Sequence, residues 1–140
     1  MRKRTKAREC VLQMLYQMDM ANDPIDKVMN QYWQNKQRTD VVMAFANEIV
    51  KGTYEHLSEI DKIISSYSEN WKLSEMPIID RNIIRLAVYE IMFMDDIHPA
   101  VTIDEAIDLA NRFSTPTSGK FINGVLDKIM LSNKTVISNQ

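Results

Sequence analysis

Five cations crowd the first eight positions of the chain: Arg2, Lys3, Arg4, Lys6 and Arg8, with no acid among them. In the first turns of a helix such charges oppose the macrodipole, which favours acids there, so local stability does not account for them. Lys and Arg in a cluster suit phosphates, whose neutralisation releases counterions, and guanidinium planes also stack on unpaired bases. The rest of the chain holds 12 basic against 19 acidic residues, so a positive end is joined to a negative body with a net charge of −2 overall. That asymmetry implies an anionic partner at the N-terminus. An ordinary solvated basic terminus fits the cluster equally well.

Lys120-Phe121 is a second constellation. A cation beside an aromatic ring suits single-stranded RNA, one group for phosphate and the other for a base. The competing reading is stronger on these residues alone, because Phe121 opens an apolar stripe with Ile122, Val125 and Ile129 that would simply be core. Tyr67 and Trp71 offer an aromatic surface for RNA, or they seal the bundle with a polar tip exposed. The second role is the expectation, for Trp71 above all. Asp104, Glu105 and Asp108 read as a solvated helix face, not as a carboxylate pair for acid–base work.

Catalytic signals are missing. His56 and His98 stand in different segments without metal-ligand spacing, and no GxSxG, HExxH or CxxC occurs. Three glycines, Gly52, Gly119 and Gly124, make neither a phosphate loop nor a dinucleotide fingerprint. The chain is expected to be a binding protein with no enzymatic activity, cofactor or metal.

The elements that must position these residues are helical. At 140 residues, with 45% apolar and 26% charged residues, the chain reads as one globular domain. Gln13, Gln17 and Asp19 interrupt the apolar run that a signal peptide would need, no stretch is long and apolar enough to span a membrane, and Cys10 is the only cysteine. These features fit the cytoplasm. Ala7, Val11, Met14, Leu15 and Met18 mark one amphipathic helix over about 4–19. Asp23-Pro24 reads as the N-cap and first residue of a second, running to about Trp33. Val42 to Tyr67 steps by threes and fours as one long helix capped by Thr39, with Gly52 allowing close helix approach. The stretch 71–77 connects two halves. Ile78 to Met94 is apolar nearly all round, which predicts a buried central helix, with Arg81 and Arg85 as its polar strip. Thr102-x-x-Glu105 predicts a capping box for a helix burying Ile103, Ala106, Ile107, Ala110 and Phe113. A last helix runs from about Pro116 to Leu131, followed by a frayed tail over 132–140. The expected fold is all-α, six to seven helices in two packed sub-bundles (about 4–67 and 77–131).

Four segments resemble the NusB family. Lys6-Ala-Arg-Glu-Cys-Val-Leu-Gln-Met-Leu-Tyr16 is similar to its N-terminal helix, an arginine-rich motif followed by A-R-E and an apolar run ending in L-Y. Asp80-Arg-Asn-Ile-Ile-Arg-Leu-Ala-Val-Tyr-Glu90 resembles its central helix, Ile103-Asp-Glu-Ala-Ile-Asp-Leu-Ala110 its I-N-E-A-I-E-L-A segment, and Lys120-Phe-Ile-Asn-Gly-Val-Leu-Asp-Lys128 its K-F-V-N-G-V-L-D-K signature. The resemblance spans residues 4–131. It implies an antitermination adaptor that binds the boxA element of nascent ribosomal RNA as a heterodimer with NusE, a small-subunit ribosomal protein, and joins NusA, NusG and RNA polymerase. Carried over by position, it makes Arg4, Lys6, Arg8, Lys120 and Phe121 RNA contacts, with Tyr67 added from the aromatic surface above. Asp80, Arg81 and Arg85 are the expected partner-binding face. The family includes monomers and homodimers. Thr5, where arginine is frequent, thins the basic motif; Gly119 and Asp104 also depart from the common residues. Two other readings compete: a protein–protein adaptor without an RNA role, and a detached relative of the helical module of RNA cytosine methyltransferases, for whose catalytic domain no residues remain.

Overall fold

The structure is a computed structural model that describes residues 2–34 and 36–138, with side chains through Asn133. It is built of α1 (Lys3–Ala21), α2 (Ile25–Trp33), α3 (Asp40–Glu55), α4 (Leu57–Tyr67), a single 3₁₀ turn (Leu73–Glu75), α5 (Ile78–Phe93), α6 (Pro99–Phe113) and α7 (Pro116–Ser138). The all-α expectation is met, and no strand occurs among the described residues.

The expected stripe of α1 is the buried one: Ala7, Val11, Met14 and Leu15 are nearly or wholly inaccessible. α1 ends where Asn22 adopts the left-handed conformation (φ 56°) and donates its amide to the Met18 carbonyl, a C-terminal arrangement that asparagine tolerates better than most residues. α2 begins one residue later than Asp23-Pro24 suggested, with Pro24 as the cap and Asp23 paired instead with Lys27 at 3.5 Å. Thr39 caps α3 as expected, its hydroxyl accepting from the Val42 amide at 3.3 Å.

The long helix expected over 42–67 is broken. His56 leaves helical geometry (φ −107°, ψ 19°) and separates α3 from α4. Its imidazole stacks on Phe93 of α5 at 4.2 Å between centroids. The apolar seam resumes in register after the break, so periodicity alone does not reveal it. Gly52, one turn earlier, lies under the ring of Tyr89, and a Cβ there would come within 2.0 Å of that ring. Gly52→Ala therefore gains about 1 kcal/mol of helix propensity but must displace Tyr89, which also stacks on Phe93. Overpacking of this kind costs about 1–3 kcal/mol. We expect a net loss of stability in urea unfolding, and a smaller loss for the same change in a Tyr89→Ala background.

α5 is the central element. Ile83, Ile84, Leu86, Ala87 and Val88 are buried, and the helix packs on α1, α3, α4, α6 and α7. The earlier helices and the α6–α7 pair thus form two groups sharing one continuous core through α5. α6 starts at Pro99, capped by His98, whose Nδ1 accepts from the Ala100 amide at 3.1 Å. The expected capping box is not formed. Proline at the first position presets the helical φ, and this places Thr102 inside the helix rather than at its end. α7 continues past the expected end at Leu131 to Ser138, since no glycine or proline stops it. Residues 139–140 of the expected tail lie outside the described residues.

Candidate functional site

The N-terminal cations part company. Arg2 and Lys3 are exposed. Arg4 keeps half its side chain in solvent, with a loose 3.8 Å ion pair to Asp96 and its guanidinium 4.6 Å from the centre of the Phe45 ring. Lys6 is less exposed and paired with Glu9 at 3.2 Å. Arg8 is not free. Only 2% exposed, it donates from Nε and Nη2 to the two oxygens of Glu90 at 2.8 and 2.7 Å. Its Nη1 lies 3.4 Å from Glu105. Thr102 donates its hydroxyl to Glu90 at 3.0 Å and Thr5 donates to Glu105 at 2.7 Å. This corrects the expectation of a phosphate contact at Arg8: it ties α1 to α5 and α6. It also corrects the reading of Glu105, which serves this network and not a helix cap.

The last turn of α6 joins the two basic regions. Arg112 donates to Glu9, beside Lys6, and to Asp108 at 3.0 Å. Burial alone would raise the Glu9 carboxyl, but the hydrogen bonds and charges of Arg112 and Lys6 outweigh it and hold the group below the usual carboxylate range. Asn111, next along the turn, lies against Gly119, where a Cβ would approach its Oδ1 to 2.9 Å, and Lys120 follows at once, exposed. Arg112 is thus a surface cation the sequence reading did not select. Its (i, i+4) spacing from Asp108 was visible, but the reach to Glu9 was not. Phe113, expected in the core, is 40% exposed, as is Tyr16. With Leu12 and Ile79 they line an apolar hollow of about 230 Å³.

Phe121 is half-buried against the core, with Ile122, Val125 and Ile129 buried behind it. Trp71 is 49% exposed, which corrects its expected role in the core, and its ring meets Phe121 edge-on at 6.4 Å. Tyr67 packs partly on the core and donates its hydroxyl to Ser132 of α7. The structure joins it to α7 and not to the basic residues.

Asp80, Arg81 and Arg85, the expected partner-binding residues, are engaged in hydrogen bonds and ion pairs within the chain. Asp80 is buried and accepts from Ser118 at 2.6 Å. Arg81 grips Asp19 with two hydrogen bonds of 2.7 and 2.8 Å. Arg85 grips Asp61 at 2.9 and 3.0 Å and reaches Asp19 at 3.0 Å, while Asn82 adds a bond to Asp19 at 2.9 Å. Burial by itself would raise the Asp19 carboxyl. Hydrogen bonds from Arg81 and Asn82, with the charges of both arginines, hold it below its ordinary value. Among the described residues no group of His, Cys, Asp or Glu is arranged to hold a metal, and no helix is long and apolar enough to cross a membrane. What the surface offers is charge and aromatic rings, the equipment of nucleic-acid binding.

Known proteins resemble the chain along most of its length. A sequence model of the NusB family matches residues 5–131. The chain is 41% identical over 138 residues to the transcription antitermination protein NusB of Thermodesulfovibrio yellowstonii, covering 91% of each chain. It is 44% identical over 134 residues to that of Elusimicrobium minutum, covering 94% of this chain and 95% of the relative. Its fold matches a structure of T. maritima NusB with a TM-score of 0.84 at 38% identity, over 91% of this chain and 89% of that one. It also matches a chain in a crystal structure of the antitermination factors NusB and NusE in complex with double-stranded RNA. There the TM-score is 0.85 at 27% identity, over 94% of this chain and 98% of that one.

Proposed function

Because the chain belongs to the NusB family of transcription antitermination proteins, we propose that it is a cytoplasmic, single-domain adaptor, without chemistry of its own, that binds boxA-type single-stranded RNA of nascent ribosomal RNA transcripts together with NusE. In that assembly it joins NusA, NusG and RNA polymerase and supports ribosomal RNA synthesis. The observation that carries the reading is the continuity of the basic surface. Arg4 is exposed and Lys6 partly exposed on α1, Arg112 of α6 shares Glu9 with Lys6, and Lys120 with Phe121 follows Gly119, which lies against Asn111 beside Arg112. Cations outside a helix-favourable position, together with a half-exposed ring, suit phosphates and an unpaired base. The protein partner is better served by the apolar hollow between Tyr16 and Phe113 than by Arg81 and Arg85, since exposed aromatics in a concave patch mark partner sites while those arginines are committed internally. A homodimer of the kind the family allows would have to leave the basic surface open for this role.

Fluorescence anisotropy with a boxA-like strand, a scrambled strand and a duplex of the boxA sequence tests this, each with and without NusE. Preference for the boxA strand, strengthened by NusE, is expected. Equal weak binding to all three RNAs, unchanged by NusE, would leave a NusB fold whose work lies in protein contacts.

A further inference from the structure

Trp71 is among the largest apolar side chains in the protein, yet half of it faces solvent. Burying such a ring would take a large apolar area out of water, so its position at the surface calls for another use. It stands in the connection before α5, edge-on to Phe121, and the two rings flank a hollow of about 230 Å³ floored by Met76 and Pro77. We propose that this hollow takes one unpaired nucleobase of a bound RNA strand, with Trp71 as a second aromatic wall set edge-on beside Phe121. The inference rests on the RNA-binding reading above and adds to it the residue and the pocket that hold a base.

Three observations select this occupant. The walls are aromatic and apolar, and every base has a π-face that such walls accept. At the hollow's edge Ser118 donates to Asp80 at 2.6 Å, and the hydroxyls of Ser114 and Thr115 lie 3.1 Å from the Ser118 oxygen, while Asp80 Oδ1 is buried without a hydrogen-bond partner among the described residues. A base is therefore held by stacking on the rings, with an unmet acceptor at the hollow's edge. Each ring has a cation next to it in the chain, Lys120 before Phe121 and Lys72 after Trp71, both exposed, which suits the phosphates on either side of an inserted base. Lys72 also lines, with Glu69 and Glu75, a separate hollow that touches Trp71.

Trp33 and Trp71 are the only tryptophans, so Trp33→Phe leaves Trp71 as the sole reporter. Titration with the boxA-like single strand in the presence of NusE should quench Trp71 fluorescence, and the duplex should not. Trp71→Ala in the otherwise unaltered protein should weaken single-strand binding roughly tenfold, the loss of one stacked base, with an unchanged thermal melt, and Trp71→Phe should restore most of the affinity. RNA binding that is undiminished in Trp71→Ala, with Trp71 fluorescence unmoved, would overturn the pocket while leaving the RNA-binding reading intact. Quenching by NusE alone, with no further change on adding RNA, would assign the hollow to a protein side chain and overturn it equally. Failure of the unaltered protein to bind any RNA would instead overturn the reading on which the pocket rests. If Trp33→Phe does not fold, the affinities of Trp71→Ala and Trp71→Phe decide the matter alone.

Discussion

Replacing Arg8 by alanine should cost about 3–5 kcal/mol of folding stability, because it leaves the Glu90 carboxylate buried without its partner. Glu90 is fully inaccessible and takes three hydrogen bonds, two from Arg8 and one from Thr102. An uncompensated charge there has no water to turn to. The double replacement Arg8→Met with Glu90→Leu should recover most of the loss, since a buried ion pair is often no more stable than apolar residues of similar volume. Urea midpoints for the two variants measure this. A loss below about 1 kcal/mol in Arg8→Ala, the range of an exposed ion pair, joined to a fall in RNA affinity, would return Arg8 to the phosphate contacts.

The second large effect is expected at Asp19. It receives four N–H groups from Arg81, Arg85 and Asn82, and its loss leaves two arginines facing each other without their shared anion. Asp19→Ala should cost about 1.5–3 kcal/mol, the range for hydrogen bonds to a charged group. The effect has a pH signature. The folded carboxyl is held below its unfolded value, so its contribution is fully present above the unfolded value and is lost as pH falls through the folded one. The acid-side decline of stability below the ordinary carboxylate range should be shallower in Asp19→Asn than in the unaltered protein. Parallel declines would mean that other carboxylates carry the acid sensitivity.

The two networks explain what could be read from the sequence and what could not. The apolar circumference of α5 announced its central place because burial on all sides leaves a pattern in the chain itself. Thr39 and Gly52 were legible for the same reason, one as a local cap and the other as a missing side chain. Arg8 was not. It follows Ala7 at the edge of the buried stripe of α1, in a run of exposed cations, and its partner lies 82 residues away. Thr102 and Glu105 carry the spacing of a capping box, yet Pro99 starts the helix earlier and both residues are drawn into the Arg8 network. Arg81 and Arg85 show the same limit. Their spacing marks a polar strip without saying whether the strip meets water, a partner or Asp19. The break at His56 depends on its stacking with Phe93, a tertiary contact with no local signature. At the surface the basic cluster and Lys120-Phe121 were legible as chemistry, whereas the bridging Arg112 and the exposed Trp71 became visible only when α6 and the 71–77 connection were placed.

The most direct test of the RNA surface is the salt dependence of RNA affinity. The logarithm of the binding constant against the logarithm of salt concentration should be linear for the unaltered protein, with a slope that becomes shallower by about 0.7 for each phosphate contact removed from a single strand. Arg4→Ala with Lys6→Ala, and separately Lys120→Ala, should each flatten the slope while the fold and NusE binding remain. Slopes that do not change in either variant would contradict the account, because the exposed cations of α1 and α7 would then not be where the RNA backbone lies.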